Sequence, residues 1–181
     1  YFEMNSTSRY EIRQLFLFDR KQNTVRAIGN QEICSQRKLA LFCSSTCPGS
    51  VILKTVDYIK SLEGSNTAVI SGFHSPVEQE CLRVLQRINQ PAILCPARSL
   101  EDMRLKPEWK KMLEAGNLLI LSPFDAKYRR MTKELSWKRN QFVVSLADEV
   151  LVPFAVPGGR TERIISFINM HNKPILSLGS S

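Results

Sequence analysis

The sequence predicts an α/β fold in which a doubly wound, mostly parallel six-stranded sheet carries helices on both faces. None of the six short apolar runs after residue 38 alternates polar with apolar residues, which is typical of strands buried on both sides. Helical segments separate these runs, and that alternation predicts parallel strands joined by right-handed crossovers. The expected architecture is Rossmann-like, with strands at Leu39–Cys43, Thr67–Ile70, Ala92–Cys95, Leu118–Leu121, Val150–Val152 and Ile175–Leu178.

Five helices are expected between the strands. The second has the clearest start, because Ser75 is a favoured cap residue, Pro76 suits a first helical turn and Glu78 stands in the capping-box position. Pro48 and Gly64 are the corresponding start and stop signals of the first helix. The helical segments lie near residues 48–63, 76–89, 107–115, 129–147 and 160–171.

The first 38 residues form an N-terminal extension in this interpretation, ahead of a Rossmann domain at 39–181. Two apolar runs, Leu15–Phe18 and Val25–Ile28, flank a polar stretch, which predicts a β hairpin outside the main sheet. A chain of 181 residues with 43% hydrophobic residues suits one core of this size. Residues 1–3 stand ahead of Met4 and are interpreted as the remnant of a cleavable tag.

The composition argues against several classes of protein. The chain has neither a long apolar run nor a basic leader followed by an apolar stretch, so we expect a cytoplasmic protein without a membrane segment. Five scattered cysteines favour reduced core thiols over a disulfide framework. The two histidines, His74 and His171, show no metal-ligand spacing, so neither a metal site nor a cofactor is expected.

The formal net charge of +8 is concentrated in two segments. Residues 98–139 hold eleven Lys or Arg against six Asp or Glu, and residues 1–38 hold seven against four, whereas the rest of the chain is balanced. Residues 98–139 also contain Trp109 and Trp137. Cations beside aromatic rings suit single-stranded nucleic acid, but a solvated surface with tryptophans packed in the core gives the same pattern.

Ligands of doubly wound sheets bind beyond the carboxyl ends of the strands, so the loops there are the candidate sites. After the first strand, Ser44 and Ser45 either supply hydroxyl and N–H groups to a phosphate or form a plain capped turn. After the second strand, Gly72 allows a close approach of backbone or ligand. His74 beside it is either a phosphate donor or a structural residue.

The remaining candidates lie before and after the fifth strand. A charged helix leads into this strand, and a glycine turn that suits an anion follows it. No nucleophile stands beside a base anywhere in the chain, so no catalytic residue is assigned and binding is favoured over catalysis. The candidate phosphate-binding residues here are Lys138, Arg139, Asn140, Gly158, Gly159, Arg160, Thr161 and Glu162.

The chain resembles the Rossmann domain of the DprA/Smf DNA-processing proteins from residue 39 to about residue 178. The resemblance rests on Ser71-Gly72 and on the run from Lys138 to Asp148, in which arginine and asparagine precede an apolar helix, a small residue and Asp. It implies binding of single-stranded DNA, often as a homodimer, and a RecA-type recombinase as partner.

The turn Pro157-Gly158-Gly159-Arg160-Thr161-Glu162 is also similar to the glycine motif of the LOG phosphoribohydrolases, which belong with DprA to the SLOG superfamily of nucleotide-ligand binders. The chain departs from both patterns. Cys43-Ser44-Ser45 stands where DprA proteins usually have Gly-Ser-Arg, and Arg160 meets Thr161 where LOG enzymes have an intervening glycine. The leading hypothesis is therefore single-stranded DNA binding, and the alternative is a sensor or hydrolase of a small nucleotide-derived ligand.

Overall fold

The computed structural model describes residues 10–16 and 24–178. Within these ranges the strands are β1 (Arg13–Phe16), β2 (Thr24–Gly29), β3 (Arg37–Leu41), β4 (Thr67–Ser71), β5 (Ala92–Leu94), β6 (Leu118–Ser122), β7 (Glu149–Leu151) and β8 (Ile175–Leu176). The helices are α1 (Gly49–Lys60), α2 (Pro76–Arg87), α3 (Pro107–Glu114), α4 (Lys133–Leu146) and α5 (Arg160–Met170), and a short 3-10 helix at Gln31–Ser35 precedes β3.

These strands form one sheet in the order β1-β2-β6-β5-β4-β3-β7-β8. The six strands from β3 to β8 are parallel, which confirms the predicted doubly wound, mostly parallel sheet. The chain builds outward from β3 through β4 and β5 to β6, and then returns to place β7 on the other side of β3. The switch point therefore lies between β3 and β7, where such sheets bind their ligands.

Apolar side chains cover both faces of the sheet. On β3, Leu39 and Leu41 pack into a cluster that includes Ile59 of α1, whereas Ala40 faces a second cluster that includes Val143 of α4. Helices α1, α2 and α3 bury the first face, and α4 and α5 bury the second. Because both faces are dry, the strands carry continuous apolar runs.

The N-terminal strands extend this sheet, so the prediction of a hairpin outside it is wrong. Strand β2 pairs antiparallel with both β1 and β6, and Ala27 lies opposite Leu121. Val25 and Ala27 are each 1% exposed. An apolar β6 at the sheet edge would leave its backbone groups unpaired, and β2 removes that edge. The loop of the expected hairpin and the proposed tag remnant at residues 1–3 lie outside the described residues.

Helix α4 begins later than the sequence signals indicate, at Lys133 rather than near residue 129. The Thr132 side chain accepts a hydrogen bond from the Leu135 backbone N–H at 3.1 Å and so caps the helix. The predicted capping box of α2 is present, with Ser75 and Glu78 bonded reciprocally. In the described part of the chain, no helix combines the length and the apolar character that crossing a membrane requires.

We expect the substitution Leu119→Ala in the central strand β6 to lower the free energy of unfolding by about 2–5 kcal/mol, because Leu119 is 0% exposed and its loss leaves a cavity. Leu53→Ala is the matched control, since Leu53 on α1 is 67% exposed and its change is expected to stay within about 0.5 kcal/mol. Urea denaturation of both variants measures the difference. Equal losses would contradict the assigned core.

Candidate functional site

A cleft of about 420 Å³ opens at the carboxyl ends of β3, β4 and β7, next to the switch point of the sheet. The loops after these strands and the adjoining turns of α4 and α5 form its walls. The structure brings together nine of the twelve predicted site residues here: Ser44, Ser45, Gly72, His74, Arg139, Asn140, Gly159, Arg160 and Thr161.

The other three predicted residues do not line the cleft. Lys138 is exposed and pairs with Glu134 one turn earlier on α4, at 2.7 Å. Gly158 adopts a positive φ of 72°, and its backbone N–H donates to the Glu162 carboxylate at 2.6 Å. Glu162 therefore closes the glycine turn that precedes α5, and its carboxylate is already engaged.

Arg139 lies on the floor of the cleft. The sequence left open whether this residue reaches the loops, and it does so from the middle of α4 with only 6% of its surface exposed. Its Nη1 donates to the Cys95 carbonyl at 2.9 Å, and its Nε donates to Asn140 Oδ1 at 2.7 Å. Burial lowers the pKa of Arg139, and the negative charge of Glu78 opposes that shift. Because arginine stays protonated in proteins, the cleft keeps a fixed positive charge.

Gly72 is the position that admits the Arg139 side chain. A Cβ atom on Gly72 would overlap the Arg139 guanidinium, so any larger residue would displace it. The next residue, Phe73, has a φ of +48°, and its backbone N–H donates to Ser71 Oγ at 3.1 Å. The loop after β4 thus folds tightly around the guanidinium.

Glu78 is a cleft residue that the site prediction missed. Its carboxylate accepts hydrogen bonds from the backbone N–H groups of Cys43 at 3.0 Å, His74 at 2.8 Å and Ser75 at 3.3 Å. It therefore connects the loop after β3 to the loop after β4. The Ser75-x-x-Glu78 capping box was recognised in the sequence, and its position directly after the Gly72 loop was the signal that places this carboxylate at the site.

Ser44 connects the loop after β3 to the loop after β7. Its Oγ donates to Thr161 Oγ1 at 3.0 Å and accepts from the Val156 backbone N–H at 2.9 Å. Its own N–H donates to the Phe154 carbonyl at 3.1 Å. These two predicted phosphate-binding hydroxyls are thus bonded to each other, while Ser45 next to them is exposed.

Helix α5 points its N-terminus into the cleft. Gly159 is its N-cap residue, no side chain caps the helix there, and Arg160 and Thr161 of the first turn line the cleft. A Cβ atom on Gly159 would lie 2.8 Å from the Val156 carbonyl oxygen, so glycine suits this turn. An uncapped N-terminus presents backbone N–H groups and the positive end of the helix dipole, which favour an anion.

His74 stands at the exposed rim of the cleft. Desolvation lowers the pKa of His74 from 6.5, and the positive charges of Arg139 and Lys106 lower it further, while Glu78 acts in the opposite direction. His74 is therefore neutral at pH 7. Burial also raises the pKa of the Cys43 thiol, so this cleft residue is protonated as well. The protonated thiol of Cys43 is a poor nucleophile.

We expect Gly72→Ala to lower the free energy of unfolding by about 1–3 kcal/mol, because the new methyl group must push aside a guanidinium that two hydrogen bonds hold. Gly49→Ala is the control, since a Cβ atom at the first residue of α1 meets nothing within 4 Å. Urea denaturation compares the two variants. If Gly72→Ala is as stable as Gly49→Ala, the proposed close packing of Gly72 on Arg139 is refuted.

No protein-family model matches the chain, and no curated protein matches its sequence. Solved structures do share its fold. One is the molybdenum cofactor binding protein from Rippkaea orientalis, with a TM-score of 0.54 and 9% identity, covering 78% of this chain and 76% of that one.

Two structures of DNA processing protein A (DprA) are more similar. The protein from Helicobacter pylori, which has a described single-stranded DNA binding mode, matches with a TM-score of 0.76 and 20% identity over 98% of this chain and 84% of that one. The protein from Streptococcus pneumoniae matches with a TM-score of 0.74 and 16% identity over 87% of this chain and 56% of that one. The chain described here therefore has the fold of DNA processing protein A.

Proposed function

We propose that this protein binds single-stranded DNA along the carboxyl edge of its sheet, as a DprA-like protein. The position of the Lys and Arg side chains that have no carboxylate partner supports this proposal. Among the described residues, eight exposed cations make neither an ion pair nor a hydrogen bond: Arg104, Lys106, Lys110, Lys111, Arg130, Lys133, Arg160 and Arg163.

All eight lie on one edge of the sheet. They occupy the loops after β5 and β6 or the first two turns of α3, α4 and α5, which begin at the carboxyl ends of the strands. On helices α1 and α2, by contrast, Lys60 pairs with Asp57, and Arg83 and Arg87 both pair with Glu80. A positive edge on an otherwise balanced surface is the pattern expected for a polyanion partner.

The size of the cleft favours a single strand over a duplex. Its volume of about 420 Å³ is that of a small-ligand site. A nucleotide enters such a cleft only when its base is unpaired, and a single strand supplies unpaired bases without the cost of opening a duplex. In this proposal Arg160 and the N-terminus of α5 hold one phosphate, Arg139 attracts it from the floor, and the cations after β5 and β6 follow the backbone.

The finer parts of the hypothesis rest on the resemblance to DprA. We include in the proposal a RecA-type recombinase as partner protein, a homodimer as the working assembly and the cytoplasm as the location. The likeness in fold to DNA processing protein A supports them, and each has its own test in pull-down, sedimentation and fractionation experiments.

A second candidate function is binding of a small nucleotide-derived ligand in the same cleft. The cleft volume and the helix N-terminus favour it, and a neighbour in fold binds a molybdenum cofactor. A LOG-type hydrolysis is less favoured, because the Glu162 carboxylate accepts the Gly158 N–H at 2.6 Å and faces its own turn. A mononucleotide that raises the melting temperature and displaces a DNA oligonucleotide would support this candidate.

We expect Arg160→Ala to weaken binding of a fluorescent dT oligonucleotide and to lower the slope of log K against log salt by about 0.7, the value for one lost phosphate contact on a single strand. Arg83→Ala is the control, because Arg83 lies on α2 and is already paired with Glu80 at 2.7 Å. Fluorescence anisotropy between low and moderate salt measures both. An unmodified protein that shows no salt-dependent binding would overturn the proposed function.

DNA binding is expected to strengthen as the pH falls below 6.5, the ordinary pKa of histidine. The lowered pKa keeps His74 neutral at pH 7, so its protonation on acidification adds a positive charge beside Arg139 and Lys106, with Glu78 as the opposing charge. His74→Gln removes this gain, whereas His171→Gln, at the far end of α5, keeps it. Anisotropy titrations at constant ionic strength provide the test, and a gain that survives His74→Gln would rule out the assignment.

A further inference from the structure

A stack of one cationic and two aromatic side chains lies beside the cleft on the surface of α4 and α5. The Arg163 guanidinium sits over the Trp137 ring, with 4.1 Å between Cζ and the ring centroid. Phe167, one turn further along α5, meets Trp137 edge to face at a centroid distance of 5.8 Å. Trp137 and Phe167 are partly buried against the core, whereas Arg163 is exposed.

Helix geometry places this stack next to the cleft. Residues three or four positions apart share one face of a helix. Arg163 is therefore the neighbour of Arg160 on α5, and Arg160 lines the cleft. On α4, Trp137 is the neighbour of Asn140, which also lines the cleft. A ligand chain that leaves the cleft between α4 and α5 thus meets the Arg163 guanidinium next.

We propose that Arg163, held over the Trp137 ring, is a base-stacking platform for the nucleotide that follows the one in the cleft. This inference rests on the proposed function and names the residues that would extend the site beyond a single nucleotide. A guanidinium plane and an indole ring both stack with nucleobases, and such stacking tolerates any base because every base has a π face.

The contacts of Arg163 favour this role over a structural one. Among the described residues no carboxylate pairs with Arg163, so its charge is not neutralised by the protein. The guanidinium lies 4.1 Å above the Trp137 ring, and Phe167 packs against that ring, so the position of Arg163 is set before any ligand arrives. Preorganisation of this kind lowers the entropy cost of binding a flexible strand.

The chain has two tryptophans, so Trp109→Phe leaves Trp137 as the single fluorescent reporter. In that background we expect a dT oligonucleotide to quench Trp137, whereas an abasic oligonucleotide of equal length and charge leaves its emission unchanged. Arg163→Lys keeps the charge and removes the plane. It is expected to weaken dT binding about 5- to 10-fold without altering abasic binding.

The outcomes separate the two proposals. If the protein binds dT and abasic strands equally well without quenching, or if Arg163→Lys leaves dT affinity intact, the platform is refuted and the proposed function stands. If neither strand binds, the proposed function and the platform both fail. Arg83→Lys on α2 is the matched control for the chemical change, and urea denaturation of Arg163→Lys shows whether the stack is needed for stability.

Discussion

Arg139 crosses from helix α4 to the ends of two strands, where its guanidinium lies against Gly72 and donates to the Cys95 carbonyl at 2.9 Å. The rest of the cleft is arranged around this buried charge. Only glycine fits at position 72, because the Arg139 guanidinium occupies the space of a side chain there. Glu78 brings a carboxylate near this guanidinium and holds the loops after β3 and β4 together. A buried cation needs such partners, since burial without them is costly.

At the carboxyl edge of the sheet, more of the described exposed Lys and Arg side chains lack a carboxylate partner than on α1 and α2. On α2, both Arg83 and Arg87 pair with the carboxylate of Glu80. At the starts of α3, α4 and α5, several described cations have no carboxylate partner, including Lys106, Arg160 and Arg163. Self-repulsion among these cations costs stability, and an anionic ligand relieves it.

The cleft and the Arg163 stack suit two different chemical groups of one ligand. The cleft offers a helix N-terminus and fixed positive charge, which suit a phosphate. The stack offers a guanidinium over an indole ring, which suits a base. A nucleic acid strand carries both groups in alternation, whereas a free phosphate carries only the first. The proximity of Arg160 to Arg163 on one helix face connects the two.

The sequence by itself determined the class of fold and the loops of the site. Continuous apolar runs separated by capped helices are compatible with few folds other than a parallel sheet covered on both faces. The carboxyl ends of such strands meet at one edge of the sheet, where ligands bind. Tertiary structure decided what local patterns do not encode. Lys138 and Arg139 are neighbours in the chain, yet α4 turns the first outward to Glu134 and the second inward across Gly72. The place of β2 beside β6 and the bond from the Cys43 N–H to Glu78 join residues far apart in the chain, and the order of residues alone does not give the distances between them.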